Sequence, residues 1–251
     1  MISICLTYFA SLTLANLSAA LYSVRQQDLS IVSEIVIVDN NTSDDVAEIQ
    51  AAIDAQAFPV PVRVVSHKHG DPSKTHAWSS NVAVREARTP WVLMTRADYL
   101  LAFCVLDRFA AAISGKPDAW DGFVTGNGCH LYEDIDACER SPWRSVGPHV
   151  LDGVTFDYTC IDSGVWLARR DAFERVGGLD EGLTAWGHAQ TAFQYALHTS
   201  GTECVRIPET LFYHPQHAAA RDIDLAHQQL HDRGLSLKTL WARHEGVQPY
   251  Q

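Results

Sequence analysis

The strongest constraint on this chain is an alternation that runs through its first 115 residues. Residues 2–6, 34–38, 61–65 and 91–95 are short apolar runs, several rich in β-branched side chains, as buried strands are. Between them lie segments with helical spacing. Leu12, Leu14, Leu17, Leu21 and Val24 recur near helical spacing, and Val46, Ile49 and Ile53 fall on one face of a second helix. Ser43 or Asp44 can cap that second helix. Further helices are predicted over 75–87 and 101–113. Strands alternating with helices imply an α/β fold with a mostly parallel sheet covered on both faces. Ligands of such sheets bind beyond the carboxyl ends of the strands. Asp39, the polar loop after Val65, and Asp98 all fall at such ends. No G-x-G-x-x-G follows the first strand, which argues against a standard dinucleotide site.

The second half is less regular. Residues 120–159 are rich in Gly, Pro, Trp and charge and read as long loops with short strands. A strand is predicted over 163–169, then a helix over 170–175 closed by Gly177-Gly178. Another helix covers 189–200 and another strand 203–207. Residues 223–244 read as a helical tail. The chain has no internal repeat and no low-complexity linker, so one domain is expected. Its first half would span 1–115 and its second half 116–220, with a tail over 221–251.

Composition narrows the function. The 251 residues are 47% hydrophobic, enough for a sizeable core. The net charge of −11 argues against nonspecific nucleic-acid binding, which relies on basic surface. The first 20 residues lack the basic start of a signal peptide, and no run reaches the roughly 18 apolar residues of a membrane span. A cytoplasmic location follows as an expectation. The six cysteines, Cys5, Cys104, Cys129, Cys138, Cys160 and Cys204, form no C-x-x-C pair. They read as buried thiols in a reducing compartment, and a zinc site is not expected.

Three segments carry a resemblance. Glu34-Ile35-Val36-Ile37-Val38-Asp39-Asn40 is a strand ending in an acid. Thr95-Arg96-Ala97-Asp98 is another. Gly177-Gly178-Leu179-Asp180-Glu181 precedes Trp186-Gly187-His188-Ala189-Gln190. In order and spacing they resemble family 2 glycosyltransferases of the GT-A fold, from Ile2 to about His214. The resemblance implies a nucleotide-sugar donor, UDP-linked, and an unidentified acceptor. Thr7 and Tyr8 stand where the family lines the nucleotide. Asp39 stands where a family acid accepts the uracil N3–H, an apt partner for a donor. Asn81 matches an Asn approaching base and ribose, and His214 a His that contacts metal or diphosphate. Each has a plainer reading: a loop acid, a surface helix residue, a core histidine.

The sequence also departs from the family. An Asp-x-Asp that binds a divalent metal is replaced by Arg96-Ala97-Asp98. A guanidinium about 5 Å from a divalent ion is repelled by several kcal/mol at an effective dielectric of about 20. Either Arg96 turns away, or it replaces some of the metal's charge on the diphosphate, or it pairs structurally with Asp98. A metal at Asp98 and His214 is therefore doubtful. The family's Glu-Asp, whose Asp is the general base of inverting enzymes, is Ala189-Gln190 here. Gln190 cannot take a proton, though it can hold a hydroxyl. His188 is the nearest titratable residue; it is a candidate base or a plain loop residue. Inversion is expected by resemblance. A retaining enzyme and a binding protein without catalysis are the alternatives.

Overall fold

The computed structural model describes residues 1–71, 73–117, 119–132, 147–151, 154–184 and 188–215. The elements run β1 (Ile2–Phe9), α1 (Leu14–Arg25), β2 (Val32–Asn40), α2 (Val46–Asp54), β3 (Val62–His67), α3 (His76–Glu86), β4 (Trp91–Arg96), β5 (Leu100–Leu101) and α4 (Val105–Ile113). Then come β6 (Phe123–Tyr132), β7 (Gly147–Leu151), β8 (Val154–Arg169), α5 (Arg170–Arg175), α6 (His188–Thr199) and β9 (Cys204–Pro215). The strands form one sheet in the order β3-β2-β1-β4-β8-β6-β9-β5, with β7 added on β8. β3, β2, β1 and β4 are parallel, the arrangement that alternation predicts. β8 joins β4 antiparallel and carries the sheet into the second half.

Strand alternation sorts the side chains to two cores. Ile4, Leu6 and Tyr8 of β1 face α1, α2 and α4, packing with Leu17, Leu21, Ile49, Ile53 and Phe109. Cys5 faces the other way, toward α3, α5 and α6, with Ala77, Val82, Phe173 and Phe193. Both faces are thus covered.

Several boundaries differ from expectation. α2 is capped by Asp45, which trades hydrogen bonds with Glu48 in a capping box. Ser43 and Asp44 are not the cap, and Val46 is half exposed instead of lying with Ile49 and Ile53. The helix predicted from residue 101 begins at Val105, because Leu100 and Leu101 pair with Tyr213 and Phe212 of β9. Gln27 then receives the Val105 N–H at 2.9 Å, supplying from a distance the cap that Cys104 cannot. The described residues of 120–159 include β6 and the start of β8, longer strands than expected there. The glycines mislead: a Cβ at Gly128 would lie 2.2 Å from the Phe212 ring, as one at Gly164, farther along β8, would lie 2.3 Å from it. These glycines make room for a ring crossing the sheet. The helical tail predicted over 223–244 lies outside the described residues. Cys5 is buried, but Cys204 is exposed, against expectation; the Cys129, Cys138 and Cys160 side chains lie outside the described residues. No described helix is long and apolar enough to cross a membrane.

A buried polar network closes the sheet end opposite the site. Glu34 Oε1 accepts from Ser3 Oγ at 2.9 Å and from the Arg88 N–H at 2.7 Å. Its Oε2 accepts from Arg63 Nε at 3.3 Å. Burial works to raise the Glu34 pKa, but the Arg88 N–H, the Ser3 hydroxyl and Arg63 together bring it below the ordinary value. A depressed carboxylate pKa stabilises the fold above the unfolded value, about 4.5, and that stability is lost as pH falls through the folded value. Arg63 is partly solvated, so Glu34→Gln is expected to cost about 1–2 kcal/mol at pH 7. The cost should shrink toward pH 3, a trend that urea denaturation at both pH values measures.

Candidate functional site

The carboxyl ends of β1, β2 and β4 lie side by side, because Tyr8 pairs with Asp39 and Thr7 with Arg96. Asp39 is fully buried at the end of β2. Its Oδ1 accepts from the Thr42 hydroxyl at 2.7 Å and the Thr42 N–H at 3.2 Å. Its Oδ2 accepts from Ser66 Oγ at 2.6 Å and lies 2.7 Å from Lys68 Nζ. A carboxylate offers about four lone-pair positions, and here all four are used. Lys68 also donates to the carbonyls of Thr42, at 2.8 Å, and Asp44, at 2.7 Å. Asp39 therefore knits the loops after β2 and β3 together; it does not cap α2. Tyr8 gives its hydroxyl proton to Asp44 in a short hydrogen bond. Burial, then that bond, drives the Tyr8 pKa well above its ordinary value, so the phenol stays protonated. The Thr7 hydroxyl is buried and has no partner.

At the end of β4, Arg96 turns onto Asp98 instead of away from it. Nε donates to Oδ1 at 2.9 Å, and Nη2 makes a short second bond to Oδ2. Both residues are 3% exposed. His214 Nε2 stands 3.2 Å from the same Oδ2. The guanidinium carbon lies 4.7 Å from the Tyr99 ring centre and 5.1 Å from that of Phe9. Burial works against the Arg96 charge, but Asp98 outweighs it and holds the pKa above the ordinary value. The result is a buried fixed cation, bidentate on a carboxylate and flanked by two rings.

His76, the first residue of α3, belongs to this cluster, and the sequence reading misses it. Its Nε2 is sealed from solvent and has no hydrogen-bond partner. Burial, then the Arg96 charge, pushes its pKa down to about 3 despite an opposing pull from Asp98. The ring is a neutral imidazole near the Arg96–Asp98 pair. Nothing in a lone His after a polar loop gives this away; only the turn of α3 brings it there. Ser66, at the end of β3, and Lys68, in the loop after it, are also missed.

Asn81 is used differently from the expectation. Its Nδ2 donates to Leu179 O at 2.9 Å and to Glu181 Oε1 at 2.8 Å, while its Oδ1 accepts from the Leu179 N–H at 2.9 Å. It clamps the Gly177–Glu181 segment onto α3. Gly177 and Gly178, at φ +82° and +73°, close α5 in the left-handed conformation glycine favours. A side chain at Gly178 would lie 2.6 Å from Asn81 Oδ1, so the clamp also requires glycine there. Gln190 is buried in the first turn of α6, and its Nε2 has no partner. His188 begins α6, but its side chain, like Trp186 and Gly187, lies outside the described residues.

The donor set does not suit a divalent cation. Asp98 supplies the hard oxygens, and both are engaged by Arg96, with His214 on one of them. No group of three His, Cys, Asp or Glu residues that could hold a metal exists among the described residues. A cation at Asp98 would have to displace a bidentate guanidinium. A cavity of about 460 Å³ lined by Arg25, Gln27, Asp28, Leu29 and Pro59 lies near the start of β2, at the opposite end of the sheet.

A sheet whose parallel strands end in polar clusters, one acid at β2 and one charged pair at β4, defines an α/β protein with its candidate ligand site at the carboxyl ends of the strands. The sequence matches the family model described as glycosyl transferase family 2 over residues 3–177. The chain belongs to that family. No curated protein matches it. Among solved structures it is similar to TarS of S. aureus, residues 1–349 in complex with UDP-GlcNAc, with a TM-score of 0.61 and 13% identity. That match covers 88% of this chain and 60% of the other. It is also similar to the mannosyltransferase PcManGT from Pyrobaculum calidifontis in complex with GDP-Man and Mn²⁺, with a TM-score of 0.56 and 18% identity over the full chain and 65% of that protein. The chain spans 36% of the longer TarS structure. At these identities the likeness is one of fold, and the fold is GT-A.

Proposed function

We propose that this chain transfers a sugar from a nucleotide-diphosphate donor, UDP-linked, to an acceptor in the second half of the domain. The observation that supports it best is the buried Arg96 cation at the end of β4, beside Thr7 and across β1 from Asp39. A diphosphate needs positive charge there, and Arg96 brings it without a metal. Tyr8 and Asp39 would face the nucleoside, with Thr7 between them and Arg96. Asn81 would shape the site from behind by holding the Gly177–Glu181 segment. His214 would hold Asp98 in place, and Gln190 or His188 would face the acceptor. TarS in complex with UDP-GlcNAc and PcManGT in complex with GDP-Man support a nucleotide-sugar donor, and recognition of the nucleobase would fall to Asp39.

Calorimetry with UDP, GDP and ADP in EDTA tests this reading. UDP is expected to bind most tightly, and added Mn²⁺ to change its affinity little, because Asp98 is already engaged. No UDP binding with or without Mn²⁺ would overturn the reading; binding that appears only with Mn²⁺ would overturn its metal-free form. The uncharged Ala189-Gln190 at the usual base position favours a second reading, a retaining transfer, which needs no base there. NMR of the product's anomeric configuration decides between inversion and retention.

A further inference from the structure

Three buried polar atoms without a hydrogen-bond partner gather at the nucleotide end of the sheet: Thr7 Oγ1, Thr75 Oγ1 and His76 Nε2. Their relative heights follow from one contact. Cys5 Sγ donates to Ala83 O at 3.3 Å, tying β1 to α3 at a common level. α3 connects the parallel strands β3 and β4, so it runs antiparallel to β1. Going back along α3 from Ala83 to His76 covers about 10 Å, at ~1.5 Å per residue. Going forward along β1 from Cys5 covers the same ~10 Å in about three residues. His76 therefore stands level with residues 7–9, where Thr7 pairs with Arg96. Thr7 lies two positions beyond Cys5 and so points to the α3 side. The depression of the His76 pKa by the Arg96 charge agrees with that placement.

The start of α3 is also open. Thr75 occupies the N-cap but makes no side-chain cap bond, so the first-turn N–H groups keep their hydrogen-bonding capacity. Asn40 pins the incoming loop from below through the carbonyls of Lys74, at 2.8 Å, and Thr75, at 3.2 Å. An uncapped helix start, two hydroxyls and an imidazole converge beside a fixed cation. All can donate, and the nearby acid, Asp98, is already neutralised by Arg96. Donors without an acceptor, at the positive end of a helix dipole, suit a phosphate. We infer that the N-terminus of α3, with Thr75, His76 and Thr7, is the subsite for the donor's diphosphate, adjoining Arg96. This rests on the nucleotide-sugar reading above. It adds a dedicated anion cradle, and His76 as a binding residue, to a site whose metal-holding acid is gone.

Calorimetry in EDTA with UDP, UMP, uridine and inorganic pyrophosphate tests it on the whole chain. His76→Ala is expected to weaken UDP and pyrophosphate roughly tenfold or more and to leave uridine within about twofold. His76→Asn, which restores a donor, should recover part of the loss. Thr7→Val removes an unpartnered hydroxyl and keeps the shape, so it carries the same measurement should His76→Ala fail to fold. Wild-type protein that binds UDP while both substitutions leave it unchanged overturns this subsite and leaves the nucleotide-sugar reading standing. Equal losses for uridine and UDP also overturn it. A wild type that binds none of the four probes overturns both.

Discussion

Arg96→Leu is expected to destabilise the protein by about 3–5 kcal/mol, because it leaves Asp98 buried with only part of its compensation. Asp98 is 3% exposed, and both of its oxygens accept from Arg96. His214 Nε2 also stands 3.2 Å from Oδ2, and one ring nitrogen cannot replace a guanidinium that serves both oxygens. Removing the acid as well changes the sign of the argument. Arg96→Leu with Asp98→Leu deletes both charges, and apolar replacement of a buried pair is often close to neutral. The double variant should therefore recover most of the lost stability. It should not recover nucleotide binding, since the cation proposed for the diphosphate is gone. Urea denaturation and UDP calorimetry on the single and double variants read the two effects separately. A single variant within about 1 kcal/mol of wild type would mean that Asp98 is neutralised by other means.

The chain's own pattern shows why the first half was legible. β1 to β4 carry apolar runs that need no distant partner to be recognised, and Asp39 and Asp98 sit at their ends in the sequence itself. The second half hides its strands. Gly126 and Gly128 read as loop residues, yet they lie under Leu211 and Phe212, side chains brought from β9. The cap of α4 comes from Gln27, which no local window includes. The site divides in the same way. The sequence leaves Arg96 turned away, acting as a charge substitute or paired with Asp98, and the structure shows the pair. Asn81 matched a motif but its amide is spent on Leu179 and Glu181. His76 had no motif at all. Periodicity reports what faces the sheet; it does not report which loop and helix ends meet above it.

Asp39→Asn separates the loop brace made by the Asp39 carboxylate from the base contact proposed for it. In the structure its four acceptor positions are filled by Thr42, Ser66 and Lys68, so a uracil N3–H must displace one of them. Lys68 is the readiest to leave. Its side chain is 40% exposed, and it keeps the Thr42 and Asp44 carbonyls as acceptors. Asp39→Ala removes both the loop brace and the base contact, so it should cost about 2–3 kcal/mol in stability. It should also weaken UDP by roughly 1.5–3 kcal/mol, the range for a hydrogen bond to a charged group. The amide of Asp39→Asn keeps one oxygen for Thr42 and turns a donor toward Ser66 and the base. Uracil N3 is a donor and cytosine N3 an acceptor, so that swap inverts the match. The expected result is weaker UDP binding with CDP affinity unchanged or improved. Calorimetry with UDP and CDP on wild type and Asp39→Asn measures it. If UDP and CDP fall together, in step with stability, the acid only braces the loops, and recognition of the base lies with other residues.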